Sequence, residues 1–253
     1  MSEVIIIPVH NQLPHLQVCL ESVYAKSNNP KVIIVDDGST CDLTKQWIID
    51  NETKLGYKRI YHDTAMGFSK ACNDGIDFAN ANYDFECLCL LNSDTVIYTD
   101  NWFQKVEWYF KNGDKIGIAS VMSDSALAQT VRNQPLYLKT IHDKPAVYSY
   151  LLHGFCYFIS KEMLSKIGKL DEVMFPHYGS EDDYSMRVYS SGYKAVLVGC
   201  VFVHHHNNTS YTDNQRHSSQ RHSIPDLNRK WGKGLINRCG MQSIKAGLYI
   251  NTH

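Results

Sequence analysis

Apolar residues recur along this chain at two alternating spacings. Runs such as "VIIIPV", "KVIIVD", "LCLL" and "IGIASV" are nearly continuous in Val, Ile, Leu and Cys, the pattern of strands covered on both faces. Between them, apolar positions return every three or four residues. Leu16, Cys19, Leu20, Val23 and Tyr24 share one helical face, and Phe68, Ala71, Cys72, Ile76 and Ala79 share another. "TKQWII" extends as a helix, "YKRIYH" as a strand, and residues 102 to 110 as a further helix. Alternation of this kind predicts an α/β domain with a parallel or mixed sheet flanked by helices.

The second half is less regular. Residues 123 to 146 keep no period and carry Pro135 and Pro145, so a long loop is expected there. "AVYSYLLHGFCYFIS" reads as a return to strand, "KEMLSKIG" as a short helix ended by Gly168, and "KAVLVGCVFVHHH" as the last strand. "SEDDYSMRVYSSG" reads as a helix in which Ser180 and Asp183 have the spacing of a capping box and Arg187 can pair with Asp183. Beyond residue 206, Arg216, Arg221, Arg229, Lys230, Lys233 and Arg238 face only Asp213 and Asp226. A polar, basic extension with a weak helix near Trp231 is expected.

Composition narrows the class. A chain of 253 residues, 43% hydrophobic and 20% charged, is long enough to bury a sizeable core. Its 25 basic and 26 acidic residues balance, so no nucleic-acid partner is expected. The N-terminal apolar run before Pro8 is too short for a signal peptide or a membrane span, which points to the cytoplasm. The eight cysteines are then expected to be reduced thiols, and the sequons at Asn51, Asn207 and Asn208 incidental.

Candidate chemistry sits at the strand ends. In an open α/β sheet, ligands bind beyond the carboxyl ends of strands where strand order reverses. Here those ends carry Pro8, His10 and Asn11, then Asp36 and Asp37, then the "DTAMGFSKACN" loop, then Asn92, Ser93 and Asp94. Small polar groups after a strand also serve simply as turn and cap residues. Three successive histidines, His204 to His206, end the last strand, and extended geometry turns His205 away from the other two.

The order of "VIIIPVHN", "VIIVDDGST", "MGFSKACNDGI", "LLNSDT", "HGFCYFISKEMLSKIGKLDE", "SEDDYSMR" and "VFVHHHNNTS" resembles the family 2 glycosyltransferases with a GT-A fold. The resemblance spans residues 3 to 211 and leaves 212 to 253 as the basic C-terminal extension. It implies a single α/β domain that moves a sugar from a nucleoside-diphosphate donor, UDP- or dTDP-linked, to a hydroxyl with inversion, aided by Mn²⁺ or Mg²⁺. Asn92, Ser93 and Asp94 then match the Asp-x-Asp metal motif with Asn in first place. Asp94 is implied as a metal ligand, together with His205, five residues before Ser210, or its neighbour His204. Asp182 is implied as the general base, with Glu181 beside it, although Asp183 also remains open. Pro8, His10, Asn11, Asp36, Asp37, Gly67, Lys70, Asn73, Asn92 and Ser93 are implied to hold the nucleotide. His153 and Gly154 are implied to face a glycan or lipid-linked acceptor in polysaccharide or glycoconjugate synthesis. The basic extension suits an anionic acceptor or the inner face of a membrane. Two other functions fit less well: a sugar nucleotidyltransferase, whose Gly-rich basic first loop "PVHNQLPH" lacks, and an inactive carbohydrate-binding relative.

Overall fold

The computed structural model describes residues 1–126, 129–206 and 223–253. Among them, β1 (Val4–Val9), β2 (Lys31–Asp36) and β3 (Lys58–Tyr61) run parallel, linked by α1 (Leu13–Lys26) and α2 (Asp42–Leu55). After α3 (Phe68–Asn82) the chain crosses to the other side of β1 as β4 (Cys87–Leu91), again parallel. Strand order therefore reverses between β1 and β4, which opens a crevice at their carboxyl ends.

The strands β5 (Thr95–Ile97), β6 (Ile116–Met122), β7 (Ala146–Ser149), β8 (Cys156–Ser160) and β9 (Lys194–His205) complete a mixed sheet. Its order is β3-β2-β1-β4-β8-β6-β9-β5, with β7 also paired to β9. β8 is antiparallel to both β4 and β6. The single strand expected over 146 to 160 is in fact two. β7 lies on the outer edge of β9 and β8 at the centre of the sheet, and the segment between them, containing His153 and Gly154, passes over the carboxyl edge. The long loop expected over 123 to 146 holds α5 (Gln134–Lys139) and a 3₁₀ turn (Ile141–Asp143). Tyr137 and Ile141 anchor it in the core, so a few apolar contacts order a stretch that has no period.

Alternate residues of each strand feed two cores. Ile5, Ile7 and Val9 of β1 pack with Leu16, Leu20 and Val23 of α1, while Val4 and Ile6 pack with Ala71, Ile76 and Ala79 of α3. α4 (Trp102–Asn112) lies on the first face, where Trp102, Phe103 and Phe158 meet edge to face at 5.2 to 5.8 Å. α6 (Lys161–Ile167) and α7 (Ser180–Ser190) cover the second. All eight cysteines are free thiols.

The weak helix expected near Trp231 is a pair of helices: α8, residues 223–231, and α9 (Lys233–Thr252). α9 lays Cys239, Ser243, Ala246, Gly247 and Ile250 against β7, and Ser243 Oγ accepts the Leu151 N–H at 2.9 Å. The reason the sequence hides it is chemical: the spacing is helical, but the buried residues are mostly small or polar and do not register as an apolar stripe. Among the described residues no helix is long and apolar enough to cross a membrane.

Candidate active site

Four strand ends and the start of α7 build the crevice. At β1, Asn11 takes a left-handed conformation, φ 61°, and its side chain accepts from Thr40 N at 2.9 Å and Cys41 N at 2.8 Å. His10 Nδ1 donates to the Asp37 carbonyl at 2.8 Å. Pro8 lies inside β1, opposite Val35 in the register with β2. The first two strand ends are thus tied together by side chains proposed from the sequence to touch nucleotide. Asp36 accepts from Ser39 N at 3.0 Å, an Asx turn.

Asp37 is buried and already well supplied with donors. Its carboxylate receives Met66 N at 2.7 Å, Gly67 N at 2.9 Å and His62 Nδ1 at 2.8 Å. A carboxylate offers about four acceptor positions, so these leave room for roughly one more donor. His62 Nε2 in turn reaches Asp74 Oδ2 at 2.8 Å, and Asp74 takes Lys70. Burial pushes the Asp74 carboxyl upward, but the Lys70 and His62 hydrogen bonds outweigh it and hold the group below its ordinary value. Lys70 is thereby committed to Asp74 across one helical turn. Asn73 joins α3 to the segment after α6, bonding both Leu170 O and Leu170 N at 3.0 Å and Glu172 Oε2 at 2.6 Å. His62 and Asp74 are parts of this frame that the sequence reading missed. The only signal was a histidine directly after β3.

The glycines of this edge are there for space. Gly38 has φ 63°, and a Cβ on it would lie 2.3 Å from the Ala65 amide nitrogen. Backbone cannot retreat as a side-chain tip can. Gly38→Ala is expected to lower stability by at least about 2 kcal/mol, the left-handed penalty plus overpacking, and Tm by several degrees in calorimetry. An unchanged Tm would show that the two loops are not in contact. Gly67, φ 102°, abuts Pro176 O in the same way and brings the nucleotide side against the loop leading to α7.

At β4, Asn92 is fixed by its amide donating to Phe155 O at 2.9 Å, and Ser93 is buried in the turn. Asp94 is buried too, with Oδ1 3.3 Å from His205 Nε2, while Asn92 Nδ2 lies 3.4 Å from the same nitrogen. β5 makes this possible: Thr95 stands opposite His205 in the β5–β9 ladder. The His205 ring stacks on Phe155 at 5.2 Å, and its buried Nδ1 has no partner among the described residues. His204 faces the other way, its Nδ1 2.5 Å from Asp124 Oδ2 and its Nε2 3.3 Å from His206 Nδ1. Asp94 and His205 converge and His204 does not join them. Ser210 lies outside the described residues.

Three consecutive carboxylates open α7, and each meets a different fate. Asp183 is fully buried, with Arg187 Nε at 3.0 Å on one oxygen and Lys230 Nζ and Trp231 Nε1, each at 2.8 Å, on the other. The expected capping box is absent: Gly179, φ 85°, is the cap, and the Asp183 side chain turns inward instead. The expected Arg187 pair is present. Glu181 is raised by burial, against which its own amide and the Ser180 hydroxyl act. Asp182, partly open to solvent, bonds no protein group among the described residues. Burial, then repulsion from Glu181 and Asp183, pushes it up to about 8.

Gly154 and Phe155 stitch these pieces together. A Cβ on Gly154 would stand 3.4 Å from the Glu181 side chain, and the next residue carries the ring on His205 and the carbonyl that holds Asn92. Two adjacent residues therefore link Glu181 to the Asn92, Asp94 and His205 group. Burial, then the neighbouring His205, lower His153 to about 4, so it stands neutral beside them. Gln129, buried, supports this rim by accepting the His153 N–H at 2.6 Å.

Comparison with known proteins agrees with this architecture. Residues 4–168 match the model described as Glycosyl transferase family 2. A curated relative, uncharacterized protein y4gI of Sinorhizobium fredii (strain NBRC 101917 / NGR234), is 22% identical over 254 residues, 90% of this chain but 27% of its own. The chain thus spans about a quarter of the length of that relative. Among solved structures, GalNAc-T7 with UDP, GalNAc and Mn²⁺ superposes with a TM-score of 0.67 at 14% identity, covering 84% of this chain and 45% of that one. The mannosyltransferase PcManGT from Pyrobaculum calidifontis, in complex with GDP-Man and Mn²⁺, gives 0.66 at 13% identity over 98% of this chain and 73% of its own. S. aureus TarS 1-349 gives 0.60 at 14%, covering 90% and 72%. These three share the mixed α/β fold, and with the family match over well more than half of its length the chain belongs to glycosyl transferase family 2.

Proposed function

We propose that the protein transfers a sugar from a nucleoside-diphosphate donor to an acceptor hydroxyl, with inversion, using Asp182 as general base. The observation that carries this reading is the inequality of the three carboxylates. Asp183 is consumed by two cations and an indole, whereas Asp182 bonds no protein group among the described residues and is raised in pKa. A base of this strength suits proton removal from an alcohol near neutral pH. In the step proposed, the acceptor O–H gives its proton to Asp182 as the oxygen bonds the anomeric carbon, and the carbon–oxygen bond to the diphosphate breaks with its electron pair. A single displacement inverts the centre.

A divalent ion suits the Asp94 and His205 pair, whose carboxylate and imidazole atoms already lie 3.3 Å apart. Bound there with diphosphate oxygens, it would neutralise charge on the leaving group. One imidazole in the set favours Mn²⁺ over the oxygen-seeking Mg²⁺. No group of three or more acidic, histidine or cysteine side chains poised for a metal occurs among the described residues. Two protein ligands make a weak site by themselves, so the donor is expected to complete it. Relatives of the fold are known with UDP or GDP-Man and Mn²⁺, which supports a nucleotide-sugar donor, here UDP- or dTDP-linked. On the acceptor side, His153 and Gly154 line the rim. Lys233, Arg238 and Lys245 are exposed on α9 and available to an anionic lipid-linked acceptor or a membrane headgroup.

A panel of nucleotide sugars with Mn²⁺ in a thermal-shift assay tests this directly. At least one donor is expected to raise Tm and then to be turned over with release of its nucleoside diphosphate. A flat panel would favour a carbohydrate-binding protein. Pyrophosphate release from a nucleoside triphosphate and a sugar phosphate would favour a nucleotidyltransferase.

A further inference from the structure

The carboxylate adjoining the acid pair is held by residues almost fifty positions downstream. Lys230 and Trp231, at the end of α8, both donate to Asp183 Oδ1 at 2.8 Å, and Lys230 also reaches Asp171 Oδ2 at 3.1 Å. The same helix packs on the turn that launches α7. A Cβ on Gly179 would stand 3.1 Å from Ser223 and 3.3 Å from Leu227, and Leu227 is buried. Two separate contacts thus fasten α8 to the first turn of the acid-bearing helix.

We propose that Lys230 and Trp231 are a positioning pair for the reaction: they fix Asp183 inward and offset part of its charge, so that Asp182, the preceding residue of the helix, is turned away from them and feels less of that charge. The inference rests on Asp182 as the general base. It makes part of the basic extension a component of the catalytic apparatus. Successive helical side chains project about 100° apart, so pinning Asp183 inward settles where Asp182 points.

The electrostatics run in one direction. Glu181 and Asp183 face Asp182 from its own helix and Tyr157 from β8, while Cys72 of α3 faces Glu181; burial holds the phenol and the thiol protonated. The Tyr157 hydroxyl bonds both Ser185 Oγ and Glu181 O. Beyond Asp183 stand Arg187 and Lys230, and Asp171 draws on Lys230 from the far side. Among the described residues, Arg187 and Lys230 are the cations paired with Asp183 and oppose its charge. Removing one from a buried carboxylate leaves its charge to act on Asp182, with an effect of about one pH unit.

The test compares Lys230→Met, Lys230→Arg and Asp171→Asn with wild type across pH. In Lys230→Met the rising limb of kcat/KM is expected to move up by about one unit, a roughly tenfold loss near pH 7 with donor KM unchanged. Lys230→Arg restores it. Asp171→Asn, which frees Lys230 for Asp183, moves the limb the other way and keeps the test available if Lys230→Met fails to fold. A limb that stays in place, or a loss confined to donor KM, would overturn the proposal. Carboxyl ¹³C titration of Asp182, assigned by Asp182→Asn, reads the same shift without turnover. If wild type turned over no donor, the transfer reading would fall, whereas an unmoved ¹³C midpoint in Lys230→Met would sink the clamp itself.

Discussion

Asp182→Asn is expected to cut turnover by about 10²- to 10⁴-fold, the usual contribution of a positioned base, while leaving donor binding in place. The same variant should gain stability in alkali. Asp182 is raised to about 8 by burial and by its acidic neighbours, so between about pH 4 and 8 the folded chain holds a proton that the unfolded chain has released. Its contribution to stability is complete below pH 4 and is lost as pH rises through 8. Asparagine carries no such dependence. At pH 8.5 the variant is therefore expected to exceed wild type by about 2 kcal/mol, a figure reduced for the partial solvent exposure of the side chain, and the two Tm curves should converge toward pH 4. Wild-type kcat/KM should rise with pH and level off above about 8. Asp183→Asn is expected to do the reverse for stability, weakening the pairing of Arg187 and Lys230 and lowering Tm. Should Asp182→Asn retain wild-type turnover, or should Asp183→Asn leave Tm unmoved, the division of labour along α7 would be wrong.

That division could not be read from the chain. "SEDDYSMR" presents three carboxylates in a row, and only tertiary packing decides which one turns inward to Arg187, Lys230 and Trp231. The parallel half of the sheet was legible because β1, β2 and β4 are buried on both faces and their interior residues are apolar. β5 was not, since three residues establish no period, yet its pairing with β9 is what sets Asp94 beside His205. β7 and β8 merged into one expected strand because both are apolar and the turn between them carries Leu151, Leu152 and Phe155. α9 was underestimated because its buried face is built from Cys, Ser, Ala and Gly. Asp36, Asp37 and Asn11 were visible as polar strand-end groups, and Asn73 in the segment after the third strand, but their partners were not. Much of their bonding capacity goes to fastening loops to one another, which leaves the frame rigid where a donor would lie.

Mn²⁺ should bind feebly to the free protein and at least tenfold more tightly once UDP is present, because Asp94 and His205 are two ligands where a divalent ion of this kind takes about six. The coupling is reciprocal, so UDP affinity should rise by the same factor when Mn²⁺ is added. Calorimetric titration in both orders measures it. Asp94→Asn removes the single carboxylate of the pair and should abolish the coupling together with most turnover, whereas His205→Ala, which leaves Asp94 in place, should weaken it by roughly 10- to 100-fold. His204→Ala should leave the coupling intact, since that ring is engaged with Asp124 and His206 on the opposite face of β9. EDTA should silence the wild-type enzyme and added Mn²⁺ restore it. Tight Mn²⁺ binding without nucleotide, or equal losses from His204→Ala and His205→Ala, would mean that the ion is held elsewhere. The alternation of the three histidines across the strand makes the comparison sharp: neighbouring residues of identical chemistry differ only in the side of the sheet they face.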